Sequence, residues 1–224
     1  MYGDLGDRLS EANSLSYLGA VRKLTGDYPA AVRAQEEALG ICRDLGDRLG
    51  QANALTHLGS VRRLTGHYPP AMRVLRDAIG LYRDIGYPAG HANALTPLGA
   101  VLRLTGDYPA AAQALDQALG IYRDVGDVYG EAEALNERGP LHQVTGELAL
   151  ARWCHERALE LSREIDSSWC EAHALAGLGR CALADGDARQ AGTLLRQALE
   201  IFQRIGAGEA RGLLAELGAL PASQ

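Results

Sequence analysis

Apolar positions recur along the chain at three-to-four spacing in short blocks, and the blocks themselves recur at one fixed interval, the step from Gly19 to Gly59. In one block Ala52, Leu55, Leu58 and Gly59 share a stripe with Arg62, which predicts a helix A running to about Thr65. A second stripe of Ala71, Leu75, Ala78 and Ile79 predicts a helix B ending near Ile85. The punctuation between them is specific. Gly46 suits a helix C-cap and Asp47 the N-cap that opens helix A. Gly66 closes that helix, His67 (Asp27 and Asp107 in the neighbouring copies) is placed to cap helix B, and Tyr68-Pro69 form its first turn.

Four registers hold through the chain. They are Gly26, Gly66, Gly106, Gly146, Gly186; Gly19, Gly59, Gly99, Gly139, Gly179; Ala31, Ala71, Ala111, Ala151, Ala191; and Ala38, Ala78, Ala118, Ala158, Ala198. A strict period of this length is the mark of stacked helix pairs, each burying its face against its neighbours. The predicted fold is therefore all-α, a single solenoid over 1–224 with units near 7–46, 47–86, 87–126, 127–166 and 167–206. A short capping helix is expected over 208–217, and frayed residues from Pro221 to Gln224. The fourth unit departs most: Arg138 takes the place of Leu58 and Leu98, and Pro140, like Pro97 before it, sits mid-helix where a bend is expected. Arg138 is read as snorkelling outward, with a functional bend as the alternative. Gln35 and His155 replace the large apolar residue found at Leu75 and Leu115.

Counted from Gly59, the offsets of Leu55, Leu58, Gly66, Tyr68, Ala71, Leu75 and Ala78 resemble the tetratricopeptide repeat over essentially the whole chain. The unit, 47–86 in the second copy, is longer than the roughly 34 residues usual in that family. An Asp-x-Gly-Asp type junction also stands where a proline normally ends helix B. Both features resemble the longer variant of kinesin light chains and of the C-terminal arrays of bacterial regulatory ATPases. The resemblance implies a right-handed superhelix that binds a protein segment along the concave face lined by the A helices. It also implies a sensor or scaffold role in signalling, within a larger parent protein.

The family's groove offsets, carried onto this chain, fall on Asn13, Ser16, Ala20 and Lys23; Asn53, Thr56, Ser60 and Arg63; and Asn93, Thr96, Ala100 and Arg103. In the last two units they fall on Glu133, Asn136, Pro140 and Gln143, then His173, Ala176 and Arg180. Asparagine can donate to and accept from a ligand's peptide groups, and the row Lys23, Arg63, Arg103 favours acidic groups on the ligand. Near-identical repeats also carry any residue into a row by duplication, so solvated groove asparagines stand as the competing reading.

Composition narrows the remaining classes. A net charge of −6 offers no basic footprint for nucleic acid, and no apolar run is long enough for a membrane span. The first ten residues lack the regions of a signal peptide, and Cys42, Cys154, Cys170 and Cys181 follow no disulfide framework, so a cytoplasmic protein is expected. Lys23 as the sole lysine among many arginines fits a GC-rich bacterial source. No catalytic constellation, phosphate loop or cofactor motif is found. Cys154-His155 with Cys170-x-x-His173 is the best metal candidate, but its spacing fits no standard zinc site, and no metal is expected. Met1 to Asp7 aligns with Ile41–Asp47 and Ile121–Asp127, the end of a helix B, which predicts further repeats or another domain upstream. The apolar flank Leu15, Leu18, Val21 then suggests self-association as the alternative function.

Overall fold

The computed structural model describes residues 2–220, with side chains from Gly6 onward, so Met1 and the tail from Pro221 to Gln224 lie outside the described residues. Helices follow one another in pairs: α1 (Tyr2–Leu24) with α2 (Tyr28–Leu45), α3 (Arg48–Leu64) with α4 (Tyr68–Asp84), and α5 (Pro88–Leu104) with α6 (Tyr108–Val125). Then come α7 (Val128–Val144) with α8 (Leu148–Glu164), α9 (Ser168–Ala184) with α10 (Ala188–Arg204), and α11 (Ala210–Gly218). The chain divides into two compact units, one up to Ile121 and one from Tyr122. In the first, α1 packs on α2, α2 on α3, α3 on α4 and α4 on α5, and the A helices α1, α3 and α5 also touch in succession. In the second, α7 to α10 follow the same scheme, and α11 packs on α10 with Leu213 buried. The expected all-α repeat fold is observed.

The boundaries follow from the caps. Gly46 adopts φ +71°, and its N–H meets the Arg43 carbonyl at 3.1 Å while Asp47 N–H reaches the Cys42 carbonyl at 2.9 Å. That left-handed step returns the chain at the ends of α1 to α10. It recurs at an even interval from Gly26 to Gly206, on glycine throughout except where Asp166 takes it at φ 53°. Asp47 then accepts from Gly50 N–H at 3.0 Å, and Asp27, Asp127 and Asp187 cap in the same way. His67 does not. It occupies the N-cap, but its ring turns back to Thr65 Oγ1 at 2.9 Å and leaves the first turn of α4 without a side-chain acceptor.

One further expectation is corrected. Gly6 does not end a helix, because α1 runs unbroken from Tyr2. Helices α5 and α7 continue through Pro97 and Pro140. Arg138 is half-buried and donates from Nε to His142 Nε2 at 3.1 Å, along its own helix rather than into the core.

Pairs are held close by glycine beneath a large side chain. A methyl group added at Gly59 would sit 2.5 Å from Leu75 Cγ, and one at Gly99 would sit 2.6 Å from Leu115 Cγ. Gly80, one turn before the end of α4, has nothing within 4 Å of that position. Gly59→Ala is expected to cost about 1–3 kcal/mol by overpacking, whereas Gly80→Ala gains about 0.5–1 kcal/mol of helix propensity; urea unfolding of both checks the contrast. His67→Asp should stabilise by about 1 kcal/mol by restoring the cap, read as a raised midpoint in the same experiment.

Candidate functional site

The proposed groove residues separate once their neighbours are known. Asn13 on α1 and Asn93 on α5 are exposed, but Asn53 on α3 is half-buried and its Oδ1 accepts from Tyr82 Oη at 2.6 Å. Tyr82 is buried, which pushes its hydroxyl up to about 12, so it stays a donor to Asn53 across the ordinary pH range. Thr56 and Thr96 are buried. Their hydroxyls return to the carbonyls of Ala52 at 2.9 Å and Ala92 at 3.2 Å, which takes them out of any ligand contact. β-Branched threonine bonding back four residues is a helix-internal arrangement.

Lys23, Arg63 and Arg103 are half-buried at the C-terminal ends of α1, α3 and α5, where they also meet the negative end of each helix dipole. Half-buried His57 on α3 lies close enough to Lys23 to feel its charge. Loss of solvent, and then Lys23, push the imidazole down to about 4. Near neutral pH this corner therefore carries the lysine charge beside a neutral ring. Sequence reasoning missed His57 because its register (Tyr17, His57, Pro97, Glu137, Gly177) shows no common residue type.

Asn136 is not available to a ligand either. Its Nδ2 donates to the Cys170 carbonyl at 3.0 Å, and its Oδ1 lies 3.3 Å from His155 Nδ1. With the amide N–H spent on Cys170, Oδ1 must accept, so His155 carries its proton on Nδ1 and presents Nε2 as a bare acceptor. That atom is buried without a partner, against Gly139 of α7 and Gly177 of α9, both of which leave the ring no room for a methyl group. The first unit solves the same problem with another pair: Gln35 Nε2 donates to the Ser16 carbonyl at 2.8 Å, and Ser16 Oγ donates to Gln35 Oε1 at 3.3 Å. Burial, then Arg180 and His173 of α9, push His155 down to about 3.

Cys154 and Cys170 are buried free thiols, each pushed up to about 11 chiefly by burial, which makes them poor nucleophiles near neutral pH. Among the described residues no three of His, Cys, Asp or Glu converge as metal ligands, and no helix is long and apolar enough to cross a membrane.

Paired helices joined by evenly spaced left-handed steps define an all-α helical-repeat fold. Family models described as tetratricopeptide repeat match residues 10–84 and 130–204, and a second such model matches 91–125. The chain belongs to the tetratricopeptide repeat family, whose repeats mediate protein–protein interaction and serve in general as non-catalytic scaffolds. No curated protein matches it by sequence. Among solved structures it is similar to a Podosopora anserina kinesin light chain with nearly identical TPR-like repeats, at 16% identity and TM-score 0.59, covering 88% of this chain and 97% of that one. It is similar to TTC0263, a thermophilic TPR protein of Thermus thermophilus, at 20% identity and TM-score 0.61, covering 93% and 97%. A Rap protein complexed with Competence and Sporulation Factor aligns at 15% identity and TM-score 0.70, covering 94% of this chain and 63% of that one. These likenesses establish the fold.

His155 makes the second unit sensitive to acid. The unfolded chain protonates histidine near 6.5 but the folded unit only near 3, so stability is complete above about pH 6.5 and falls as pH drops toward 3, by up to about 1.4 kcal/mol per unit. Thermal unfolding between pH 7.5 and 4.5 should show this loss. The double change His155→Leu with Asn136→Thr, which copies the Thr56–Leu75 pair, should remove most of it.

Proposed function

We propose that the A-helix layer of the first unit binds an extended protein segment, and that the chain is the sensor or scaffold part of a larger bacterial, cytoplasmic regulatory protein. The observation that carries this reading is the exposure of Asn13 on the layer that also holds Lys23 beside His57. Exposed amides can pair with a ligand's main chain whatever its sequence, and the lysine corner favours an acidic side chain or a terminal carboxylate. Arg63 and Arg103 extend the same preference along the layer. Asn53 has a different role, holding Tyr82 rather than the ligand. The Rap structure, with its bound Competence and Sporulation Factor, supports a ligand on a fold of this kind.

A peptide-array screen supplies the ligand, and fluorescence anisotropy then measures it against the wild type and Asn13→Ala/Asn93→Ala. The double variant should bind on the order of tenfold more weakly, since two amide contacts of about 0.5–1.5 kcal/mol are lost. A carboxylate docked beside Lys23 would raise the imidazole's proton affinity, so binding should tighten as pH falls from 7 to 5, and His57→Ala should flatten that slope. Unchanged affinity in the double variant would move the site off this layer.

A further inference from the structure

Helix α4 carries a charge pattern that the other B helices lack. Arg73, Arg76, Gly80 and Arg83 stand at three-to-four spacing and so share one face, with the arginines exposed along about 15 Å of helix. At the register of Arg76, α2, α6 and α8 carry Glu36, Asp116 and Glu156, and α10 carries Glu200 one turn further on. Each of those rows therefore holds an acid, and the row on α4 holds none.

Elsewhere the following helix A answers charges at these positions. Glu36 of α2 accepts from Arg62 of α3 at 3.2 Å. In the second unit Glu131 and Glu171 accept from Arg123 at 2.7 Å and Arg163 at 2.9 Å. Helix α5, packed on α4, has Leu102 at the register of Arg62 and His91 at that of Glu131. Loss of solvent, and then the charge of Arg83, push the His91 imidazole below the usual histidine range, so it supplies no counter-charge. Asp84 is taken by Arg48 at 2.6 Å, and Asp77 lies to one side of the row. Among the described residues Arg73, Arg76 and Arg83 form no ion pair. In a chain of net charge −6 this is a local excess of positive charge that the fold leaves unneutralised.

We propose that this face of α4 docks an acidic helix of a partner protein, with carboxylates seated on Arg73, Arg76 and Arg83. Charge and shape both select that occupant. Acids at the same three-to-four spacing along a helix reproduce the separations of the arginines, and a guanidinium binds a carboxylate through paired N–H donors. Gly80, between Arg76 and Arg83, has nothing within 4 Å of where a methyl group would stand, so a partner backbone can pass close over it. The patch is one helix wide, since the preceding and following B helices carry Glu36, Glu37 and Asp116. A long polyanion such as nucleic acid would run onto those acids, whereas a short helix along α4 avoids them. The row belongs to the B helices, so it is separate from the ligand site proposed on the A helices.

The test uses the full chain and a fluorescent alanine-based helical peptide with glutamates on one face at the spacing of the arginines. A second peptide of the same composition spreads those glutamates around the helix. Fluorescence anisotropy should show the first binding on the order of tenfold more tightly than the second, since only one places its charges in register. Arg76→Glu should weaken binding of the first peptide on the order of tenfold, because an attraction becomes a like-charge contact. A peptide with lysine at the matching position should recover most of that loss. Gly80→Leu should weaken binding several-fold by blocking the approach, and Arg33→Glu on α2 should change it by less than about twofold. Circular dichroism confirms helix content in each variant. No binding of the first peptide at about 1 mM would overturn the proposal. So would equal binding of the two peptides, indifference to Gly80→Leu, or an Arg33→Glu effect as large as that of Arg76→Glu. A loss caused by Lys23→Ala in place of Arg76→Glu, or tighter binding of duplex DNA than of the peptide, would overturn it as well.

Discussion

The structure depends on the close approach of two helix backbones where a glycine lies under a bulky side chain. Gly59 beneath Leu75, Gly99 beneath Leu115 and Gly179 beneath Leu195 set the distance inside each pair. Alanine fills the remaining contacts, with Ala71, Ala78, Ala111 and Ala118 fully buried. What the constraint demands is volume. In the first and fourth repeats the bulky partner is Gln35 or His155, over Gly19 or Gly139, and the facing residue, Ser16 or Asn136, is one that hydrogen-bonds to it. A buried amide or imidazole is tolerated there because its neighbour on helix A changes with it. Gly177 extends the accommodation, clearing the far side of the His155 ring on α9.

Most of the fold was legible in the sequence because helix, cap and crossing point are local or strictly periodic features. Ser167 capping at Cys170, the step at Gly46 and the end of α9 at Ala184 all follow from residue type and spacing. The misses share a cause. His67 sits at a capping position, yet its ring finds Thr65 instead, a choice between two short-range acceptors that position does not decide. Gly6 carries the right residue for a helix end, yet α1 runs through it from Tyr2.

The candidate site was legible only as a row of residues. Periodicity says which positions share a face of helix A, but it does not say what the neighbouring helix presents to that face. Tyr82 claims Asn53, and the backbone carbonyls of Ala52 and Ala92 claim the threonines. Asn136 serves the core, so the asparagine row that reads as uniform in sequence holds different roles in space. The approach of Lys23 to His57 joins two helices and different registers, and no pattern within one repeat could disclose it.

The evenly spaced left-handed step has a kinetic consequence. It turns the chain back at once, so each helix docks on one made immediately before it, and packing within each unit reaches no further than the next A helix. Few long loops must close before contacts form, which is the low-contact-order regime associated with fast folding. Cohesion is then shared between neighbours rather than stored in one central core. Backbone amides in the middle of each stack should resist hydrogen exchange longest, and protection should fade pair by pair toward its ends.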